Sequence, residues 1–427
     1  MKVFIENNSL YFNEVKFIFS LFAFNKKIAV TYVNSIADSD ISIGDSDNNT
    51  LKISLKFYID LNNGIYFHYH HFALKPLIEL ANGTPDFLST AFYLVTCAQE
   101  IGSAEVDKFG RFEYNSSLQK KYGLSKRNLV QECFDNLIVS QRFSGESKLK
   151  LSSSRVFLSH DIDTIYGSLI QDGFFALKKM RPDMLISVFM KNLSTRPSWL
   201  NIDRIMKIES EAEFKSTFFW LVNKGRVDER LSNSDYNIHD KNVRSTIENV
   251  RNSGWENGLH KSAADDSFEL ELKKLGVNVI GNRYHYLKFN PAIDFIKIEE
   301  SGLSFDSSLG FAENPGFRNC YGQPFRPYNF KTRAAFKFIE CPLNIMDTTF
   351  HNYLKLDSNE LVKATIEFCE MHKYGNVISV LFHNNFISDF KYKNYLSAFK
   401  KLLGYFYESG LKSISQSEVV KEFYYEY

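Results

Sequence analysis

Short apolar runs alternate with amphipathic segments from about residue 155 to the end of the chain. Runs of four to eight residues between turn signals are typical of buried strands, and the longer segments between them have the spacing of helices. The predicted strands are Val156–Ser159, Ser216–Val222, Val277–Ile280, Lys337–Cys341 and Val377–Phe382. This alternation predicts an α/β domain with a parallel sheet, either open or closed into a barrel.

Start and stop signals support the predicted helices. Asn290 can cap a helix that has Pro291 at its first position, and Gly302 can end it. Asp357 and Glu360 fit a capping box, and the following glycine, at position 375, is the expected end of that helix.

The chain before residue 150 has a different pattern, which predicts short strands followed by helices. Leu51–Ile59 alternates polar and apolar residues as a half-buried strand does. Phe87–Glu100 is apolar enough for a buried helix, and Ser125–Ile138 predicts another helix with Ser125 as its N-cap. The Ser-, Lys- and Gly-rich stretch Ser140–Ser154 is the predicted boundary between domains at 1–150 and 151–427.

Charge and cysteine content exclude several classes of protein. The chain has 51 Lys and Arg against 50 Asp and Glu, so its near-neutral charge gives no reason to expect a nucleic-acid partner. A hydrophobic content of 44% excludes global disorder. The five cysteines are far apart without a CxxC pair, which argues against a disulfide framework and against a structural zinc knuckle.

The first residues, MKVFIENN, place an acid and two amides where a secretory signal would be apolar. The longest apolar runs, Phe17–Phe24 and Phe87–Ala98, are shorter than the roughly 18 residues that span a bilayer. We therefore expect a soluble cytoplasmic protein without a membrane span. The oligomeric state cannot be predicted from these features.

Two carboxylates and an imidazole follow the first predicted strand of the α/β part, in the sequence Ser159-His160-Asp161-Ile162-Asp163. Two carboxylates at such a short distance raise each other's pKa unless a cation or a metal is present. The motif therefore fits a metal ligand beside a general base. It also fits a polar loop whose acids cap a helix starting at Thr164.

Further polar residues follow other strand-like runs: His260 in GLHKS, Arg283 and His285 in GNRYHY, and His383 in LFHNN. In α/β enzymes, catalytic groups collect where strands end, so together these residues predict an active site with a metal. A further cluster, HYHH at 68–71, we interpret as structural or incidental. P-loop, GxGxxG and GxSxG motifs are absent from the sequence, so nucleotide-binding and serine-hydrolase functions lack support.

The order of these motifs resembles the NodB-homology polysaccharide deacetylases, carbohydrate esterase family four, in a bacterial branch with an additional N-terminal domain. The matching stretches are SHDID (159–163), STFFWLV (216–222), GLHKS (258–262), GNRYHYL (281–287), FDSSLGF (305–311), GFRNCYGQPFRPY (316–328), ECPLNIMDTTF (340–350) and LFHNNF (381–386). DFLSTAFYLVTCAQE (86–100) and DKFGRFEYNSSLQKKYGL (107–124) resemble that branch's preceding domain. The resemblance implies a deformed (β/α) barrel preceded by a smaller α+β domain, and one divalent metal ion, usually Zn²⁺.

The resemblance also assigns roles to individual residues. They are the base (Asp161), the metal-binding acid (Asp163), the first metal-binding histidine (His260), the arginine that orients the base (Arg283) and the general acid (His383). In that family the acid protonates the departing amine.

The chain departs from the family pattern in three places. Ile162 separates two acids that are usually adjacent, which leaves open which of them is the base. Ala264 stands where the second metal-binding histidine usually lies, so Asp265, Asp266 or His285 would have to supply the third ligand. His285 itself stands where the family often has proline, and it is our expected third ligand.

These features predict a hydrolase of linear C–N bonds, a metal-dependent deacetylase that acts on the N-acetyl group of an amino sugar in a polysaccharide or its cytoplasmic precursor. One alternative is an amidohydrolase of the same fold that acts on a non-sugar amide. The other is a non-catalytic module that uses the barrel to bind a glycan or a protein partner.

Overall fold

The computed structural model describes residues 1–65, 76–140, 152–192 and 197–425 of the chain. The predicted boundary, Ser140–Ser154, lies mostly outside these residues, so the domain ranges 1–150 and 151–427 stay predictions.

The N-terminal part of the chain, from Met1 to Ser140, contains a four-stranded sheet and five α-helices among the described residues. The strands are β1 (Lys2–Ile5), β2 (Thr31–Val33), β3 (Ile41–Gly44) and β4 (Leu51–Lys52), in the order β2-β1-β3-β4. The helices are α1 (Phe12–Asn25), α2 (Leu55–Asn62), α3 (Phe87–Val95), α4 (Leu118–Lys121) and α5 (Leu129–Ser140). All strand pairs are parallel, and α1 connects β1 to β2 as in a βαβ unit. This arrangement differs from the α+β segregation that we expected.

Two predictions for this part are wrong. Leu51–Ile59 is not one strand, because the chain turns after β4 and forms α2, which buries Phe57, Tyr58 and Leu61. A short apolar run fits either period until tertiary packing decides. Ser125 does not cap α5, because its carbonyl accepts the N–H of Phe317 from the barrel, and Asn128 accepts the Gln131 N–H instead. The predicted helix at Phe87–Glu100 is confirmed in part: α3 ends at Val95, Cys97 has left-handed backbone at φ 55°, and Ala98–Glu100 forms a 3-10 turn.

The remainder of the chain forms a second, larger sheet, a separate antiparallel pair of two short strands, and a helical layer. Its strands are β5 (Arg155–Ile162), β6 (Ser216–Leu221), β7 (Glu256–Lys261), β8 (Gly281–Tyr284), β9 (Phe305–Asp306), β10 (Tyr328–Asn329), β11 (Ala334–Ala335), β12 (Ile339–Glu340), β13 (Ile345–Met346), β14 (Val377–Leu381) and β15 (Lys412–Ser413). Its helices are α6 (Ser168–Lys178), α7 (Pro182–Asn192), α8 (Ile202–Glu211), α9 (Lys241–Asn252), α10 (Phe268–Leu275), α11 (Pro291–Ser301), α12 (Ser358–Met371), α13 (Lys393–Glu408) and α14 (Gln416–Phe423).

The larger sheet is parallel throughout the described residues, in the order β12-β9-β8-β7-β6-β5-β14-β13, with β15 paired to β5. Its two edge strands, β12 and β13, are joined directly by the chain between Glu340 and Ile345. That connection reaches at most about 18 Å, whereas the edges of a flat sheet of eight strands would lie about 34 Å apart. The sheet must therefore curl into an incomplete barrel.

The barrel interior is filled in layers. A small apolar cluster fills the end nearest α14, and the rings of Phe157 on β5 and Phe305 on β9 meet there at 5.1 Å across the barrel. Above it, Arg283 on β8 reaches Asp161 on β5. The polar groups of the interior therefore lie at the end where the strands stop.

Four of the five predicted strands of this part are confirmed as β5, β6, β12 and β14. The prediction for Val277–Ile280 is wrong, because β8 begins at Gly281 and the apolar run only leads into it. Val277 and Val279 pack on the outer core, whereas Arg283 within the strand points inward to acidic partners. Strand β8 has polar residues at its inward positions, so it lacks the apolar pattern from which strands are predicted.

The predicted helix signals are largely confirmed. Asn290 caps α11 and Gly302 ends it, and Asp357 with Glu360 forms the capping box of α12. Helix α12 ends at Met371 rather than at the predicted glycine, which lies at φ 72° in the turn that leads to β14.

The N-terminal part packs tightly against the barrel, and one apolar core runs through both. Arg318 donates to both oxygens of Glu100, at 3.0 and 2.6 Å, where both side chains are almost fully buried. Glu14 accepts from Tyr328 at 2.7 Å and pairs with Arg333. None of the helices in the described ranges combines the length and the apolar character that crossing a bilayer requires.

Candidate functional site

Strand β5 brings two carboxylates to the mouth of the barrel. Alternate residues of a strand share a face, so Asp161 and Asp163 both point inward, with Ile162 buried on the other side. His160 also points outward, where its Nε2 meets Glu209 at 2.7 Å and its ring packs on Phe218. The two-residue spacing of the acids is therefore what keeps both of them on the inner face of this strand.

Two histidines from the neighbouring strands face the same point. His260 lies near the end of β7, and its Nδ1–H donates to the carbonyl of Arg283 at 2.9 Å. His285 follows β8 directly, and its Nε2–H donates to the carbonyl of Ser232 at 3.0 Å. Because a carbonyl can only accept, these bonds leave the His260 Nε2 and the His285 Nδ1 as lone-pair donors. Burial lowers the pKa of His285 to about 4, so its ring is neutral at neutral pH.

These two lone pairs converge on Asp163. Its Oδ1 lies 3.3 Å from the His260 Nε2 and 3.5 Å from the His285 Nδ1, which are 3.1 Å from each other. This carboxylate oxygen is buried and has no hydrogen-bond partner. Three electron-rich atoms this close repel each other unless a proton or a metal cation lies between them. Burial would lower the pKa of His260, but the Asp161 and Asp163 carboxylates outweigh burial and raise it, so this site attracts positive charge. Asp163, His260 and His285 therefore fit a bound metal ion, and their donor atoms lie within 4.8 Å of one another.

Asp161 has a different environment from Asp163. Its Oδ1 accepts a hydrogen bond from the Arg283 Nη1 at 2.9 Å, and its Oδ2 lies 3.6 Å from the His260 Nε2. Burial alone would raise the pKa of this carboxyl, but the His260 imidazole, when it is protonated in the metal-free site, and the Arg283 guanidinium outweigh burial and lower it. Asp161 is therefore an ionised carboxylate with one oxygen held and the other directed at the site.

His383 follows β14 and reaches the site from the other side. Its Nδ1–H and its backbone N–H both donate to the carboxylate of Asp347, each at 2.7 Å. The free Nε2 lies 3.6 Å from the Asp163 Oδ2. Burial would lower the pKa of His383, but the Asp347 carboxylate outweighs burial, so the pKa rises to about 10. Asp347 therefore fixes the orientation of the ring and stabilises its protonated form.

Sequence reasoning did not identify Asp347. It directly follows β13, which is only two residues long, and β13 pairs with β14 next to His383. Asp161 and Asp163 were predicted because they follow an apolar, strand-like run. Asp347 also follows a strand, but two residues are too few to form a recognisable apolar run. The structure thus brings all six predicted site residues together and adds Asp347.

The other candidates lie elsewhere. Asp266 pairs with Lys274 at 2.9 Å and accepts a hydrogen bond from Asn223. Asp265 is exposed. Neither carboxylate belongs to the group of donor atoms formed by Asp163, His260 and His285. The residues of the HYHH cluster, 68–71, lie outside the described part of the chain.

A cavity of about 450 Å³ opens above the three ligand atoms. Its walls are rich in aromatic rings, and one wall comes from the N-terminal part. The aromatic lining residues are Phe109, Tyr286, Tyr353, Phe386 and Tyr392, and the N-terminal wall also includes Lys108 and Arg111. The N-terminal part therefore contributes to the site.

The N-terminal wall also holds the turn that follows His285. Tyr286 and Leu287 both have left-handed backbone, with φ of 60° and 52°, which is strained for residues other than glycine. The Arg111 Nη1 donates to the Tyr286 carbonyl at 2.7 Å, while Asp107 accepts from the same guanidinium. Phe109 stacks on the Tyr286 ring at 5.6 Å. The turn keeps this conformation because another part of the chain binds it.

Comparison with known proteins gives one sequence family and a group of solved structures. Residues 4–142 match DUF7033, a family of unknown function. No curated protein matches the chain.

Solved structures match part of the chain at low similarity. A protein from Mycobacterium smegmatis named as a polysaccharide deacetylase is 14% identical, with a TM-score of 0.42, and the match covers 64% of this chain and 91% of that one. The peptidoglycan deacetylase PdaC from Bacillus subtilis is 12% identical, with a TM-score of 0.29 and coverage of 64% and 92%. BA3943 from Bacillus anthracis, a CE4 family pseudoenzyme, is 12% identical, with a TM-score of 0.33 and coverage of 65% and 68%. Because these scores are below 0.5, neither activity nor its loss carries over to this chain.

Proposed function

We propose that this chain is a metal-dependent hydrolase that removes the acetyl group from an N-acetylated amino sugar in a polysaccharide or its precursor. The observation that carries the proposal is that lone pairs of Asp163, His260 and His285 converge on one point. Two further groups flank this point: the Asp161 carboxylate, which Arg283 binds, and the His383 imidazole, which Asp347 binds. Each of these groups has a separate task in amide hydrolysis.

Asp163, His260 and His285 would hold the metal ion. Two imidazole nitrogens and one carboxylate oxygen match the ligand set of catalytic zinc sites, which keep a fourth position open. When bound, such an ion polarises a carbonyl oxygen and makes water more acidic. The carbonyls of Arg283 and Ser232 fix the tautomers of the two histidines, as outer hydrogen bonds commonly do in metal sites.

Asp161 would act as the general base. Arg283 holds one of its oxygens, and the guanidinium is itself held by the Ser159 hydroxyl and by the carbonyl and hydroxyl of Ser307. The other oxygen of Asp161 is free to accept a proton from a water molecule beside His260.

His383 would act as the general acid. An amine leaves an amide only when its nitrogen is protonated, because an amide anion is a very poor leaving group. Asp347 orients the ring and favours its charged form, so that the Nε2–H can donate a proton into the pocket.

The pocket lining supports a sugar as substrate. The cavity lining combines aromatic rings, such as Phe109, Tyr286 and Tyr392, with the side-chain amides of Asn352, Asn385 and Gln171. A pyranose ring has both an apolar face and a rim of hydroxyls, so it matches a pocket of this composition. The cavity of about 450 Å³ is large enough for a sugar unit.

Replacement of His383 with alanine tests the proposed reaction. Acetate release from soluble N-acetylglucosamine oligomers should fall by roughly two to four orders of magnitude, the usual range for a positioned proton donor. Hydrolysis of an activated acetyl ester in the same pocket should fall less than about tenfold, because its leaving group needs no proton. Both rates are measured on zinc-loaded wild-type and variant protein.

Asp347→Asn is the matched variant, since it keeps a side chain of the same shape but removes the charge that favours protonated His383. It should reproduce the amide defect in part, with the largest loss at high pH. Equal losses on amide and ester for His383→Ala, with metal content and melting temperature intact, would contradict the acid role. Absence of acetate release by the wild type on every N-acetylated sugar would contradict the proposed function.

Arg111 should influence metal affinity from outside the ligand set. We expect Arg111→Ala to weaken zinc binding roughly tenfold to a hundredfold, the usual effect of losing an outer partner of a metal site. Without the bond to the Tyr286 carbonyl, the strained turn relaxes and His285 loses its fixed orientation. The measurement is competition with a chromophoric zinc chelator. Arg127→Ala, which removes an exposed arginine of the same part of the chain, should leave affinity unchanged; equal affinity for all three proteins would exclude this role.

A further inference from the structure

The helical hairpin formed by α6 and α7 exposes an unusual amount of apolar surface. Nine of the twenty-three exposed large apolar side chains among the described residues lie between Tyr166 and Met190. They are Tyr166, Leu169, Ile170, Phe174, Leu177, Met180, Ile186, Phe189 and Met190. Exposed apolar surface concentrated in this way marks an interaction site.

The exposed residues follow the helical period. Ile170, Phe174 and Leu177 form one stripe along α6, and Ile186 and Phe189 lie one turn apart on α7. Packing within the protein does not account for them, since Ile170 is 77% exposed and Phe174 is 67% exposed. The two helices therefore present apolar stripes to the outside.

The opposite side of the hairpin is anchored to the body of the protein. Asp172 on α6 is buried, where it accepts the N–H of Lys391, and Gln171 accepts from the Lys391 ammonium group at 3.0 Å. Lys191 on α7 pairs with Asp389 at 2.7 Å. Because these contacts fix the hairpin from one side, the apolar stripes are held outward.

Basic residues surround the tip of the hairpin. Lys178, Lys179 and Arg181 flank Met180, which is 87% exposed, and the one acid in this turn, Asp183, is already paired with Arg181. An apolar surface next to an excess of positive charge is complementary to a bilayer with anionic headgroups. A second copy of the chain is less suitable, because a two-fold contact would bring this positive patch against itself.

We propose that the α6–α7 hairpin docks on an anionic lipid surface, with its apolar stripes in the headgroup region and its basic tip on the lipid charges. This docking is independent of the reaction proposed above. Gln171 on α6 and Thr164 just before it also line the pocket, so the hairpin that docks lies next to the proposed site.

Vesicle co-sedimentation of the full chain tests the docking. Wild-type protein should bind phosphatidylcholine vesicles that contain about one quarter phosphatidylglycerol, and bind less to pure phosphatidylcholine. The double variant Phe174→Gln, Leu177→Gln should reduce the partition coefficient at least about tenfold, because both side chains would otherwise enter the headgroup region. Lys178→Gln with Lys179→Gln should remove the preference for anionic vesicles and its dependence on salt.

The matched control is Ile293→Gln with Met371→Gln, which removes two apolar side chains that are each 53% exposed but lie far from the hairpin in sequence. It should bind vesicles as the wild type does, and all variants should keep the wild-type melting temperature. The proposal would be overturned if the wild-type protein bound neither type of vesicle. It would also be overturned if the double variant Phe174→Gln, Leu177→Gln bound vesicles as strongly as the wild type. A concentration-dependent dimer that this variant dissociates, without vesicle binding, would assign the surface to a second copy instead.

Discussion

Replacement of Asp161 with asparagine is expected to lower acetate release from an N-acetylated sugar by roughly two to four orders of magnitude, because the amide cannot accept the proton of the attacking water. Metal content should change little, since Asp161 is held by Arg283 while Asp163 is the acid that contacts both histidines. Turnover is measured as acetate released, and metal content by elemental analysis of the same samples.

The matched variant is Asp163→Asn, which should show the opposite profile, with metal lost as well as activity. The fold should survive Asp161→Asn, because the buried Arg283 keeps three neutral acceptors from Ser159 and Ser307. Loss of metal from Asp161→Asn with full retention in Asp163→Asn would mean that the two acids have exchanged roles.

Replacement of His285 with alanine is expected to lower zinc affinity by at least about a hundredfold. The effect should exceed the tenfold to hundredfold loss that is usual for outer partners, because a direct ligand is removed and only Asp163 and His260 remain. The dissociation constant is measured by competition with a chromophoric chelator, and cobalt substitution should show a changed visible spectrum.

His239→Ala is the control for this experiment, since His239 is an exposed histidine outside the pocket. Wild-type protein purified without chelator should carry about one divalent ion per chain. Full occupancy in His285→Ala would exclude His285 as the third ligand. A wild-type protein that binds no metal would instead favour the non-catalytic glycan-binding or partner-binding module.

Strand ends were the informative feature of the sequence. The acids of β5, His260 and His383 each lie at or just after an apolar or partly apolar run. In a parallel sheet all strands end at the same edge, so residues far apart in the chain are brought together there. For that reason the sequence could predict which side chains meet, although it could not predict their distances.

The errors have a common physical origin. The Leu51–Ile59 and Val277–Ile280 predictions relied on short apolar runs, in which helical and strand periods cannot be distinguished. Strand β8 instead consists of residues such as Arg283, which is stable in the interior only because Asp161 and neighbouring hydroxyls surround it. No local pattern contains that information.

The sequence by itself determined the α/β alternation, the parallel sheet and the identity of the chemical groups at its edge, because these depend on local periodicity and strand direction. Only the tertiary structure decided which acid contacts both histidines, since that depends on the hydrogen bonds that fix each ring and each carboxylate. Long-range contacts also supply Asp347 to His383 and Arg111 to the Tyr286 turn. Such contacts arise from packing between distant segments, which leaves no periodic signal along the chain.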